Sequence, residues 1–206
     1  MSTLAFLTPS AGVPARSPMA AAAARAGALT ELRDGWKIAL HYGDPTEERR
    51  RMRETVAFVD RSALRKLERL GPGVPGTATQ DGAGGWLCPV TASRSLLLGG
   101  RMPAADGDFD LTCAHAALSL IGPSARELLA RFCALDVRER SLPVGAFRPG
   151  SIARTPGYLL RPAEDELLLL VGSAFGEYLY DVVADAAGPL GGGPAGDSAY
   201  AERLDA

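Results

Sequence analysis

Lysine is nearly missing from this chain: of 22 basic residues, all but Lys37 and Lys66 are arginine. Together with the alanine and glycine bias, that reads as high-GC coding rather than function. The net charge of −2 and the absence of a basic stripe exclude a dedicated nucleic-acid binder. Histidine is scarcer still. His41 and His115 stand alone, so a histidine metal centre is excluded, and neither accompanies a G-x-S-x-G nucleophile elbow. The three cysteines, Cys88, Cys113 and Cys133, have no C-x-x-C spacing; they read as reduced, buried thiols of a cytosolic protein. No run of about 20 apolar residues exists to span a membrane, and the N-terminus lacks the basic-then-apolar order of a signal peptide. A cytoplasmic location is the expectation. Gly71-Pro-Gly-Val-Pro-Gly76 spells a dinucleotide fingerprint, but its prolines and the lack of a following helix make it a loop. Gly191 to Gly196 fails in the same way.

What remains is an ordinary globular balance: 206 residues, 47% hydrophobic and 22% charged, enough for one large domain or two small ones. Residues 1–30 read as an N-terminal arm followed by a short helix over 17–27, with Ser17 as its cap and Pro18 at its first position. Trp36, Ile38 and Leu40 alternate as a strand over 35–42. Asp44-Pro45 opens a helix with Glu47 and Glu48 in its first turn. The arginines from Arg49 to Arg53 spread around that helix beside acidic residues, which predicts a solvated or subunit-facing surface. A strand over 64–70, a loop over 71–85, and strands over 86–98 and 109–121 follow.

The stretch from Leu118 to Ala187 is the best punctuated. A strand over 118–121 breaks at Gly122-Pro123-Ser124, and Ser124 is the expected cap of a helix over 125–132. Strands over 152–161 and 166–171 flank the turn Pro162-Ala-Glu-Asp165. A final helix starts at Gly172-Ser173 and buries Phe175, Leu179, Val182, Val183 and Ala186. The strands lack the all-apolar character of a parallel sheet buried on both faces. The expected class is α+β, with antiparallel or mixed sheets covered by helices on one face. The body, 31–187, divides into two β-rich halves, about 31–100 and 108–187. Residues 188–206 form a C-terminal tail, weakly held unless docked.

Five segments in order carry a resemblance. They are Trp36-Lys-Ile-Ala-Leu-His-Tyr-Gly-Asp44, Val56-Ala-Phe-Val-Asp-Arg-Ser62, Ile121-Gly-Pro-Ser-Ala-Arg-Glu-Leu-Leu129, Ile152-Ala-Arg-Thr-Pro-Gly-Tyr158 and Phe175-Gly-Glu-Tyr-Leu-Tyr-Asp181. Over about residues 17–200 the chain resembles the folate-binding aminomethyltransferase superfamily, to which the glycine-cleavage T-proteins belong. Within it the chain is most similar to the gamma subunits of heterotetrameric sarcosine oxidases, by its length and by Arg16-Ser-Pro-Met-Ala20. The resemblance implies a folate-binding-type module. It implies larger alpha- and beta-type flavoprotein subunits as partners, with flavin and NAD on those partners.

The same resemblance exposes a departure. Transferases of the superfamily place a carboxylate after a Gly-Gly pair, where it can handle a proton or stabilise an iminium cation. Here Gly99-Gly100 is followed by Arg101, and Asp106 and Asp108 come late, as turn formers. No catalytic residue is therefore assigned. The pterin-holding glutamate has no clean counterpart either; Glu164 takes that role only in a shifted register. Arg154, Tyr158, Arg161 and Glu164 are the candidates to line a residual folate-type cleft, and tetrahydrofolate is the ligand such a cleft implies. The expected function is a non-catalytic subunit that supports assembly of a sarcosine-oxidase-like complex. The alternative is a stand-alone tetrahydrofolate-dependent aminomethyl or methyl transferase.

Overall fold

A computed structural model describes residues 13–82, 84–100 and 104–204. The first 12 residues of the expected arm, and Arg101, lie outside the described residues. In chain order the elements are β1 (Ala15–Arg16), α1 (Ala20–Arg25), β2 (Leu29–Arg33), β3 (Trp36–His41), α2 (Pro45–Glu54), β4 (Ala57–Asp60), β5 (Lys66–Leu70), β6 (Thr79–Gln80) and β7 (Gly85–Thr91). They continue with β8 (Arg94–Gly99), β9 (Phe109–Asp110), β10 (His115–Ile121), α3 (Ala125–Ala130), β11 (Phe147–Ile152), β12 (Thr155–Ala163), β13 (Glu166–Gly172), α4 (Gly176–Ala187), β14 (Gly193–Ala195) and α5 (Asp197–Leu204).

The class is α+β with mixed sheets. A six-stranded sheet runs β11-β12-β13-β10-β4-β14, antiparallel except where β14 lies parallel to β4. A five-stranded sheet runs β6-β7-β8-β5-β9, and a three-stranded one β1-β3-β2. Because side chains alternate across a strand, the pairing register decides what each face of the large sheet meets. Phe58, Leu118, Leu120, Leu167 and Leu169 turn to one face and pack against α1, α3 and α4 through Ala22, Leu128, Leu129, Leu179 and Val183, with Met19 just ahead of α1. Ala117, Leu168 and Leu170 turn to the other and meet Cys88, Leu96 and Leu98 of the five-stranded sheet. Further along that second face, Ala57, Val59 and Ile121 meet Met52 of α2 and Ala199 and Tyr200 of α5.

Local chemistry explains the helix starts. Asp44 accepts from the N–H groups of Thr46 (2.9 Å) and Glu47 (3.2 Å), as an N-cap should. Ser17 accepts from Met19 N–H at 3.0 Å just ahead of α1. Ser124 occupies the cap position of α3 but makes no side-chain capping bond; its own N–H donates to Thr55 O at 2.9 Å.

Several expectations are corrected. The stretch 152–161 is not one strand: Ala153 (φ 48°) and Arg154 (φ 61°) form a two-residue turn between β11 and β12. The stretch 86–98 is likewise a hairpin, turning at Ala92-Ser93. Phe175 lies in a 3-10 turn ahead of α4 and is 43% exposed. Of the three free cysteines only Cys88 is buried, and Cys113 is exposed. The segment after Gly188 is docked: β14 pairs with β4, and α5 buries Ala199 and Tyr200. Among the described residues no helix is long and apolar enough to cross a membrane.

Candidate functional site

The six-stranded sheet, the five-stranded sheet and α5 meet around a cavity of about 250 Å³, lined by Arg61, Trp86, Gly99, Gly100, Ser119, Glu166 and Tyr200 among others. Each element delivers its side chain for a local reason. Ser119 pairs with Leu168, and Ile121 with Glu166, so serine and acid emerge on the face shared with the second sheet. Gly99 and Gly100 end β8 with φ of 68° and 69°. A Cβ on Gly100 would stand 2.7 Å from Gly85 Cα, so the cavity wall admits only glycine there.

Glu166 is the one acidic side chain among the described lining residues, and it is 6% exposed. Its carboxylate is heavily engaged. Ser119 Oγ donates to Oε1 at 2.7 Å and Tyr200 OH at 3.2 Å, while Arg203 Nη1 donates to Oε2 at 3.0 Å. A carboxylate offers about four lone-pair sites; three are filled from within the protein. Burial pushes the Tyr200 phenol up to about 12, so it stays a neutral donor. Arg61 stacks over the Tyr200 ring at 3.9 Å from its centroid and lies 3.7 Å from Asp197. The arrangement is a closed polar network at the seam of three elements. It orders α5 against the sheet, with both carboxylate oxygens of Glu166 engaged by donors from within the protein.

The four residues singled out from sequence do not converge. Arg154 sits at the exposed apex of the β11–β12 turn, and Glu164 at the exposed turn on the far side of β12. At about 3.3 Å per residue, the strand carries Arg161 about 20 Å from Thr155, the residue next to Arg154. Tyr158 stacks on Phe147 (5.5 Å, 14°) and lines a separate cavity of about 370 Å³ with His115, Pro149 and Phe175. Arg161 is 2% exposed. Its guanidinium donates to the carbonyls of Leu142 (2.9 Å), Glu164 (3.0 Å) and Ala163 (3.3 Å) and pairs with Glu139. It pins the 139–142 loop beside the hairpin, and it takes from Glu164 the carbonyl, not the carboxylate. Asp108, expected as a turn former, accepts from Ala105 N–H at 2.8 Å and pairs with Arg69 at 2.6 Å, which hold its carboxyl down at about 2.

Sequence reasoning missed Glu166, Ser119, Tyr200, Arg61 and Arg203. One signal was present: an acid in phase with Leu168 and Leu170 at the head of the apolar run Glu166-Leu-Leu-Leu-Leu-Val171 must be buried with a partner.

No family model matches the chain, and no curated protein matches it. Solved structures do. One is a heterotetrameric sarcosine oxidase from Corynebacterium sp. U-96 in complex with pyrrole 2-carboxylate. The match has a TM-score of 0.65 at 20% identity and covers 85% of this chain and 96% of that one. Another is the glycine cleavage system aminomethyltransferase T from Bartonella henselae, with a TM-score of 0.72 at 18% identity, covering 90% of this chain and 60% of that one. The fold is aminomethyltransferase-like.

Proposed function

We propose that this chain is a non-catalytic, gamma-type subunit of a sarcosine-oxidase-like flavoprotein complex, which oxidatively demethylates an N-methyl amino acid. Its role there is assembly. The observation that carries the reading is the engaged state of Glu166: the one acid lining the inter-sheet cavity among the described residues is held by Ser119, Tyr200 and Arg203. A pterin ring is held by a carboxylate free to accept paired N–H donors, and Glu166 does not offer that edge. The cavity, at about 250 Å³, is also below the roughly 300–1,000 Å³ of pockets that enclose drug-sized ligands. The lining of this cavity thus supports a scaffold role over the binding of a reduced folate there. The near-complete coverage of a chain of a heterotetrameric sarcosine oxidase supports the same reading. Flavin and NAD belong on the larger partner subunits, and the setting is the cytoplasm.

The test is copurification. A tagged copy of this chain, expressed in its native background, is expected to bring down larger, flavin-coloured subunits in fixed stoichiometry. A stable monomer eluting alone, with the flavoprotein subunits assembled without it, rejects the proposal. The higher TM-score to an aminomethyltransferase favours a second reading, a stand-alone tetrahydrofolate-dependent transferase. Calorimetry with tetrahydrofolate separates the two: saturable heat from the isolated chain supports the transferase, and none is expected for the subunit.

A further inference from the structure

A cavity of about 370 Å³ opens at the end of the six-stranded sheet where β10 begins and β13 ends. Gly172 pairs with His115, and Tyr158 with Pro149 and Leu170, so these residues share the face that meets the five-stranded sheet. No residue of that second sheet is among the described lining, and Phe175, 43% exposed, stands at the rim instead. Gly172 leaves the floor open without any need to be glycine. Its φ of −55° and ψ of 140° suit other residues, and a Cβ there would meet only the Phe175 ring, at 3.7 Å. Phe147 covers one face of Tyr158 at 5.5 Å and 14°, so Tyr158 gives the cavity its other face and its edge. His115 stands 6.1 Å from the Tyr158 ring, tilted by 54°.

This lining selects an occupant. Among the described residues it holds no lysine, arginine, aspartate or glutamate. Burial pushes His115 below its ordinary value, so the imidazole is uncharged at neutral pH. A charged group entering here would lose water and gain no counter-charge. Three rings around a bare floor favour a flat ring over a puckered one, because aromatic pairs gain from stacked and edge-on contact beyond the area they bury. Pro149 and Pro156 offer no N–H to a peptide backbone. The volume falls within the range of ligand pockets. We infer that the cavity binds an uncharged, planar aromatic ring carried on a small molecule, lying over Gly172 against Tyr158, with His115 and Phe175 at its edges. The site shares no described lining residue with the inter-sheet cavity, and it stands whether or not the chain is a subunit.

The test is a titration of the full, isotope-labelled chain, followed by NMR. Indole, flat and uncharged, is expected to saturate in the low-millimolar range. It should shift the amides of His115, Gly150, Gly157, Tyr158 and residues 172–175, and its own protons should move upfield, as protons over a ring face do. Cyclohexylmethanol, uncharged but puckered, binds about fivefold more weakly or less. Benzoate and benzamidine, flat but charged, also bind more weakly than indole, and so does N-acetyltryptophanamide, which brings a peptide backbone. Gly172→Val fills the floor from a backbone that accepts it, and is expected to keep the urea midpoint and abolish the indole shifts. Phe175→Ala, at an exposed position, folds normally and weakens indole by about threefold or more. Cyclohexylmethanol or a charged ring binding as tightly as indole, shifts confined to another face, unchanged affinity in Phe175→Ala or in folded Gly172→Val, or no saturable shift each overturn the inference. N-acetyltryptophanamide binding more tightly than indole overturns it too, because the ring would then belong to a protein partner.

Discussion

Glu48 holds Gly196: its carboxylate accepts the Gly196 N–H at 2.9 Å and, with its other oxygen, the Tyr42 N–H at 2.6 Å. One buried side chain of α2, 2% exposed, thus clamps the end of β3 to the junction of β14 and α5. Gly196 is the residue that permits the approach, since a Cβ there would lie 2.1 Å from Leu40 O. Hydrogen bonds to a charged group contribute about 1.5–3 kcal/mol each. Glu48→Ala is therefore expected to destabilise the chain by about 3 kcal/mol or more in urea titrations, and to raise amide exchange first at Tyr42 and through β14 and α5. A loss below about 1 kcal/mol, or exchange that rises only within α2, removes the clamp from the account.

A second prediction concerns the Glu166 network. Ser119 and Glu166 come from adjacent strands, β10 and β13, and meet at 2.7 Å with both side chains buried. Removing one partner of a buried charge network leaves the other groups without theirs. Glu166→Ala is expected to cost about 3 kcal/mol and Tyr200→Phe about 1 kcal/mol. A double-mutant cycle of Ser119→Ala with Glu166→Gln should give a coupling of about 1 kcal/mol. Strict additivity would show that the serine and the acid do not act on each other.

The local parts of this architecture were legible where the punctuation is chemical. Asp44-Pro45 predicts α2, and the cap forms. The alternation of Leu118 and Leu120, and the turn ahead of Glu166, predict β10, the β12–β13 hairpin and an α+β class. Elements vanished where turns lack their usual residues. Ala153-Arg154 carries a two-residue hairpin turn with no glycine or asparagine, so nothing in the sequence marks β11, and β12 reads as starting early. Asp34-Gly35, with φ of 49° and 78°, is a favoured hairpin pair and was the available cue for β2. The site was less legible than the fold. Glu166, Ser119 and Tyr200 are far apart in the chain and meet only after β10 pairs with β13 and α5 docks. Arg154, Tyr158, Arg161 and Glu164 cluster in sequence, but a strand spreads such residues along its length.

The strained turn supplies a third prediction. Ala153 and Arg154 both occupy the left-handed region, which costs about 1–2 kcal/mol for a residue with a Cβ. Arg154 is exposed at the apex, so replacing it removes strain without opening the core. Arg154→Gly is expected to raise stability by about 0.5–1 kcal/mol, the relief of strain being partly offset by the greater freedom of glycine in the unfolded chain. The midpoint of urea unfolding should shift upward with an unchanged slope. A lowered midpoint would mean that the arginine side chain makes a contact outweighing the strain.

The last prediction uses Lys66, one of the chain's two lysines. It is fully buried, and its ammonium donates to the carbonyls of Ser62 and Leu64 at 2.8 Å and Thr112 at 3.3 Å. Burial pulls its pKa down to about 8, against the opposing pull of Asp60. In the unfolded chain the same group holds its proton to about pH 10.4. Between those values the unfolded state carries the extra proton, so this residue's contribution to stability rises with pH from about 8 to about 10.4. Below pH 8 both states are charged and the penalty for burying the ammonium is present in full. A depression of this size corresponds to about 3 kcal/mol. Cys88 and Tyr42 act in the opposite sense at high pH, because burial raises both. The raw pH profile therefore mixes these effects, and the comparison must be with Lys66→Met, which shares them. The stability of the parent minus that of the variant is expected to climb by about 3 kcal/mol between about pH 7 and pH 10.4. A difference that stays flat across that range would show that Lys66 keeps its full charge in the folded chain.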